Sequence, residues 1–136
     1  MTTPPVVELI RSPELTDRAP YAFAAVVRDA SGLIFTAGAC PLDIGGAIVA
    51  VGDVTRQTEQ VMKNLASALA AAGASLTDVV KTTIYVASHE RKDLVAAWNV
   101  ISAAFGDHDP PSTLLGVAVL GYPDQLVEVE AVAAVR

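Results

Sequence analysis

Two glutamates interrupt an apolar run near the end of this chain, in Leu126-Val127-Glu128-Val129-Glu130-Ala131-Val132. Carboxylates seldom lie inside a buried strand unless they are paired or put to use. Alternate residues of a strand share a face, so Glu128 and Glu130 point the same way, roughly 7 Å apart. Buried at an interface between subunits, carboxylates so placed would have raised pKa values and suit proton transfer. The opposite face, Val127, Val129, Ala131 and Ala133, reads as core. The alternative for the glutamates is a solvated sheet face, and the strand by itself leaves both readings open.

Few other residues offer chemistry. Cys40 is the only cysteine, and among Ala, Gly and Pro it reads as inert. His89 and His108 flank a helical stretch in polar surroundings and form no metal signature, so no metal is expected. Gly45-Gly46 is too little for a phosphate cradle, and no Ser-His-Asp set or Cys-x-x-Cys motif is present.

The elements that must position the glutamates follow from local pattern. Val6 to Ile10 reads as an edge strand. Tyr21 to Arg28 and Leu33 to Ala39 read as two strands, with Asp29-Ala30-Ser31-Gly32 between them as a hairpin turn. Pro41 to Gly52 reads as irregular or as a brief strand. Asp53 caps a first helix, whose apolar positions include Val54, Val61, Leu65, Leu69 and Ala72, and Gly73 ends it. Ser75-Leu76-Thr77-Asp78 forms a small capped turn into a β-branched strand, Val79 to Ala87. A second helix spans about Glu90 to Phe105, with Leu94, Trp98, Ile101 and Phe105 as its core stripe. Gly106 closes it and Pro110-Pro111 prevents resumption. Thr113 to Leu120 and the glutamate-bearing run are the last two strands.

Two helices cover one face of such a sheet, yet several strands are apolar on both faces. With no further helix in the chain, a second copy is the expected cover, so an obligate oligomer is predicted. Glu128 and Glu130 then lie on the subunit-facing side. At 136 residues and 52% hydrophobic content, one domain with an aliphatic core is expected over residues 1–136. The net charge of -6 and the scattered Lys and Arg argue against a nucleic-acid surface. A single cysteine, no leader pattern and no membrane-length apolar stretch point to the cytoplasm, with no membrane partner.

An ordered set of short pieces resembles the YjgF/RidA family, also called L-PSP endoribonuclease-like. It comprises Ala19-Pro20-Tyr21; Phe35-Thr36-Ala37-Gly38 with Pro41; Gly52-Asp53 with Gln57 and Asn64; and Ala72-Gly73-Ala74-Ser75 with Asp78 through Thr83. Trp98-Asn99, Phe105-Gly106 and Val127-Glu128-Val129-Glu130-Ala131 complete it. The resemblance implies an α+β, chorismate-mutase-like single domain, a mixed sheet with two helices packed on one face. It also implies a homotrimer with small-molecule clefts between subunits and no cofactor. The implied activity is hydrolysis of reactive imines or enamines to a 2-oxo acid and ammonia; a metabolite-binding trimer is the alternative, and an endoribonuclease fits the acidic charge least. The resemblance gives Glu128 the water-activating role. Tyr21, Ser112, Thr113 and Asn99 take the substrate-binding positions. The family's carboxylate-gripping arginine falls on Ser112, one neutral hydroxyl in place of a charged bidentate fork. Arg18, beside Ala19-Pro20-Tyr21, is a nearby cation in the sequence.

Overall fold

The computed structural model describes residues 3–136. Among these, six strands and two helices run in the order β1 (Val7–Ile10), β2 (Ala24–Val27), β3 (Gly32–Phe35), α1 (Val54–Ala71), β4 (Val79–Val86), α2 (Arg91–Phe105), β5 (Ser112–Gly116) and β6 (Val127–Val135). A single 3-10 turn, Leu76–Asp78, joins α1 to β4. The order β3-β6-β4-β5 makes a mixed four-stranded sheet. β6 runs antiparallel to both its neighbours, and β4 and β5 are parallel partners joined by α2.

Local chemistry sets both ends of α1. The Asp53 carboxylate accepts from the Arg56 N–H at 3.0 Å, satisfying a free donor of the first turn. At the other end Gly73 has φ +87°, and the Ala74 N–H reaches the Leu69 carbonyl at 2.8 Å. Such a left-handed turn is costly for residues with a Cβ. The turn into β4 is closed by a reciprocal Ser75–Asp78 box.

Both helices pack on the sheet face that carries Val127, Val129, Ala131 and Ala133. Val61, Leu65 and Leu69 of α1 meet Ala97, Ile101 and Phe105 of α2 there, all of them buried. The expected stripe of α2 is therefore core, with Leu94 and Trp98 packed against it. No helix among the described residues is long and apolar enough to cross a membrane.

Two expectations about the strands need correction. The hairpin across Asp29–Gly32 does not form: β2 pairs antiparallel with β1, while β3 pairs with the far terminal strand β6. The turn residues are present, but long-range pairing along β6 satisfies the backbone of β3 instead. β5 stops at Gly116, short of Leu120. A register shift between Val79 and Lys81 also breaks strict alternation in β4. Val79 consequently joins Thr82, Ile84 and Val86 on the buried face, and Lys81, Thr83 and Tyr85 take the other.

Among the described residues no helix covers that other face. Phe35 is 73% exposed, Leu33 53% and Leu115 43%, and these apolar groups frame Glu128, Glu130, Tyr85 and Thr83.

Candidate functional site

Glu128 lies opposite Tyr85 on the uncovered face, and Glu130 lies opposite Thr83. Both carboxylates are half-buried. The Tyr85 hydroxyl donates to Oε1 of Glu130 at 2.9 Å. That hydrogen bond, then burial and the negative charge of both glutamates, pushes the Tyr85 hydroxyl above its ordinary range. Tyr85 is therefore a donor to Glu130 at neutral pH.

Glu128 is held differently. Its Oε1 accepts from the Cys40 thiol at 3.3 Å and from Nε2 of Gln125 at 3.2 Å. Its Oε2 lies against Gly38, where the chain leaves regular pairing after β3. Thr36 makes this departure possible. Its N–H donates to the Ala131 carbonyl, and its hydroxyl accepts from the Ala131 N–H at 3.0 Å. Pairing resumes at Ala39 with Val129, leaving Ala37 and Gly38 as the gap over Glu128. A Cβ on Gly38 would stand 2.5 Å from Cδ of Glu128 and closer still to Oε2. Gly38→Ala must therefore turn the carboxylate away or shift the strand, with an expected loss of about 1–3 kcal/mol. Urea unfolding of the purified variant checks this, and an unchanged midpoint would contradict the close approach.

Helix α1 clamps both segments that meet at Glu128. Asn64 donates to the carbonyls of Cys40 and Leu42 at 2.8 and 2.9 Å. Gln57 accepts from the Leu126 N–H at 2.8 Å and donates to the Asp124 carbonyl at 3.0 Å. Gln125 is itself buried, with Oε1 accepting from the Tyr122 N–H. The chemical reading of the sequence missed Cys40 and Gln125 as partners of Glu128. Gln57 and Asn64 stood out in it only through the resemblance. A buried amide on an otherwise apolar helix face was the available signal for Gln57.

Tyr21, Ser112 and Thr113 come together in a second place, an open groove of about 480 Å³ between α2 and the β5 edge, with Pro20, Val95 and Trp98. Tyr21 stacks edge-on against Phe23 and Trp98. Its segment is tied to the loop before β5 by the Ala22 N–H, which donates to the Asp109 carbonyl at 2.8 Å, and by the Arg11–Asp109 ion pair. The Ser112 hydroxyl donates to the Pro110 carbonyl and accepts from Thr82 at 2.7 Å, so its proton is already engaged. Thr113 accepts from Lys81 Nζ at 2.7 Å, which leaves its own hydroxyl proton free. Asn99 is exposed on α2 and lines neither this groove nor the Glu128 setting. Arg18 is exposed outside the groove.

Within one chain the groove and Glu128 are separate. Leu115, the β5 residue in line with Glu128, lies two strands over, and Thr113 two residues further along, so the offset is on the order of 12 Å. A hollow of about 190 Å³ lies nearer, lined by Phe35, Lys81, Thr83 and Glu130 among others. A hollow of about 770 Å³ at the C-terminal ends of β4 and β5 has His89 and Arg91 at its rim and neither glutamate. His89 is exposed, whereas His108 corrects the expectation of a solvated ring: it is half-buried beside Phe105, with Nε2 2.7 Å from the Val79 carbonyl. Among the described residues no His, Cys, Asp and Glu gather into a metal-binding group.

Two helices on one face of a mixed sheet, with a held carboxylate on the other, define an α+β domain of the Rid type. The chain belongs to the YjgF/RidA family: the family model for endoribonuclease L-PSP matches residues 13–135. A RutC family protein of Pyrococcus abyssi is 37% identical over 114 residues, covering 84% of this chain and 85% of that protein. The 2-iminobutanoate/2-iminopropanoate deaminase of Salmonella typhimurium is 32% identical over 126 residues, 89% of this chain and 95% of that one. A Rid family protein of unknown function from Yersinia pestis superposes with a TM-score of 0.88 at 29% identity, covering 96% of this chain and 99% of that one.

Proposed function

We propose that this protein hydrolyses a small reactive imine or enamine in clefts between the copies of a cytoplasmic homotrimer, releasing ammonia and a carbonyl product. The carrying observation is Glu128: one carboxylate oxygen is tied down by Cys40 and Gln125, and the other lies over Gly38 on a sheet face that no helix covers. The similarity to the Salmonella deaminase supports the same chemistry.

The steps follow from the group. A water oxygen adds to the imine carbon as Glu128 accepts one of its protons, and the C=N electron pair goes to nitrogen, which takes that same proton from Glu128. The carbinolamine then collapses: the C–N bond breaks, the carbonyl forms and ammonia leaves, with Glu128 shuttling the proton between oxygen and nitrogen. General acid–base transfer of this kind contributes about 10²–10⁴-fold. A neighbouring copy laid against Phe35, Leu33 and Leu115 would exclude bulk water and bring a second chain's groove towards Glu128.

Ser112 sets the substrate class. A neutral hydroxyl in place of a guanidinium forfeits about 1–3 kcal/mol towards a carboxylate, and its proton is already given to Pro110. The favoured substrate is therefore an imine without a free α-carboxylate. The same engaged hydroxyl also favours a second reading, metabolite binding without turnover.

The test is ammonia release from freshly generated imines with and without an α-carboxylate, at matched decay rates in buffer. Wild type is expected to accelerate the neutral imines. Ser112→Arg is expected to raise kcat/KM for the carboxylate-bearing ones by about ten- to hundredfold. Silence of the wild type on every imine, with ligand binding intact, establishes the binding reading instead.

A further inference from the structure

The contacts of Glu128 single out a residue that sequence reasoning set aside as inert. Cys40 Sγ is 3.3 Å from Oε1 of Glu128 and 3.4 Å from the Gly38 carbonyl. A single thiol proton faces both acceptors, and the charged one attracts it more strongly. The thiol is not a nucleophile in this setting. Burial, then the hydrogen bond to Glu128 and its negative charge, raise its pKa to about 11 against a slight opposing effect of Gln125. It therefore stays protonated, and a donor, throughout the neutral range.

The donor is itself held in place. Asn64 grips the Cys40 carbonyl from α1, and the Asn64 side-chain oxygen accepts from Gln60 at 2.9 Å. The second donor, Gln125, is buried and fixed by the Tyr122 N–H and the Val127 carbonyl. The other titratable groups that face Glu128 are Tyr85 from β4, which is committed to Glu130, and Glu130 itself from β6. Among the described residues no lysine or arginine pairs with Glu128, so neutral donors alone orient it.

We infer that Cys40 is a positioning residue: with Gln125 it pins Oε1 of Glu128, so that Oε2 alone faces the reacting water. This role rests on the hydrolytic reading of Glu128. A carboxylate without the pin rotates about its terminal bond and spends less time aligned, which lowers turnover and leaves substrate binding unchanged.

Two measurements test it. The first follows alkylation of Cys40 by iodoacetamide against pH in the wild type and in Glu128→Gln. At pH 8 the wild-type thiol is expected to react on the order of 100-fold more slowly than an unperturbed cysteine, since each pKa unit is tenfold in thiolate. Glu128→Gln removes the charge and the ionic acceptor but not the burial, so labelling should accelerate by about 3–10-fold. The second measurement is imine hydrolysis by Cys40→Ala and Cys40→Ser. Cys40→Ala should lower kcat by about 3–10-fold at unchanged KM and unchanged unfolding midpoint, and Cys40→Ser should recover at least half of the loss. Equal labelling of wild type and Glu128→Gln overturns the contact. Full kcat in Cys40→Ala, where Glu128→Gln is inactive, overturns the positioning role while the hydrolytic reading stands. If the wild type turns over no imine, the hydrolytic reading fails and the positioning role fails with it; accelerated labelling in Glu128→Gln would then show only the contact.

Discussion

Glu128→Gln is expected to lower imine hydrolysis by about 10²–10⁴-fold while the proposed trimer keeps its size. The substitution keeps the volume of the side chain, so the close fit over Gly38 survives. It removes the one property the reaction needs, an oxygen that accepts a proton from water and passes it on. The contacts predict only a modest cost to folding. A glutamine can still turn its oxygen towards Cys40 and Gln125, replacing two charge-assisted hydrogen bonds by neutral ones. Steady-state ammonia release and size-exclusion chromatography with light scattering read the two effects separately. Retained turnover would remove Glu128 as the proton acceptor. A variant that falls apart into single chains would show the carboxylate to be a prop of the interface, and the catalytic assignment would lapse.

The second large effect is on stability. Gln57→Leu should destabilise the fold by about 2–5 kcal/mol although leucine matches the glutamine volume well. Gln57 is fully buried and completes the backbone of the segment entering β6, accepting from Leu126 and donating to Asp124, with a longer bond to the Ala50 carbonyl. Leucine leaves the N–H of half-buried Leu126 and the carbonyl of Asp124 without these partners, and a bond left unmade away from water costs about 1–3 kcal/mol. For a chain of this length the melting temperature should fall by roughly 6–15 °C. Thermal unfolding by circular dichroism measures it. A shift below about 2 °C would mean that water or a backbone movement repairs the gap. The same loss should loosen Gln125, which lies between the two backbone groups that Gln57 holds, so the pin on Glu128 weakens together with the fold.

Much of the fold was legible because its causes are local. Asp53 three residues before Arg56, and Gly73 one residue beyond the cap of α1, announce the two ends of that helix through bonds that close within a single turn. Leu94, Trp98, Ile101 and Phe105 reveal the buried stripe of α2 by spacing alone. Alternation placed Val127, Val129, Ala131 and Ala133 in the core and Glu128 and Glu130 on the opposite face, and the structure agrees.

The misses share one cause. Asp29 to Gly32 carries good turn chemistry, yet β2 and β3 find partners elsewhere, because what a strand pairs with depends on distant chain and not on the turn beside it. The register shift in β4 likewise has no local signature, and it decides which side of the sheet Val79 and Lys81 occupy. For the site, the sequence by itself determined a carboxylate pair on one strand face and the helices beneath, and only the resemblance marked Ser112 as standing at an arginine position. Only the tertiary structure decided what holds Glu128. Cys40 lies 88 residues from it in the chain and reaches it only once β3 is laid along β6 and the strand opens at Gly38. The type of a side chain and its periodicity are properties of the chain, but a hydrogen bond across that separation exists only after the backbone has closed the loop between its ends.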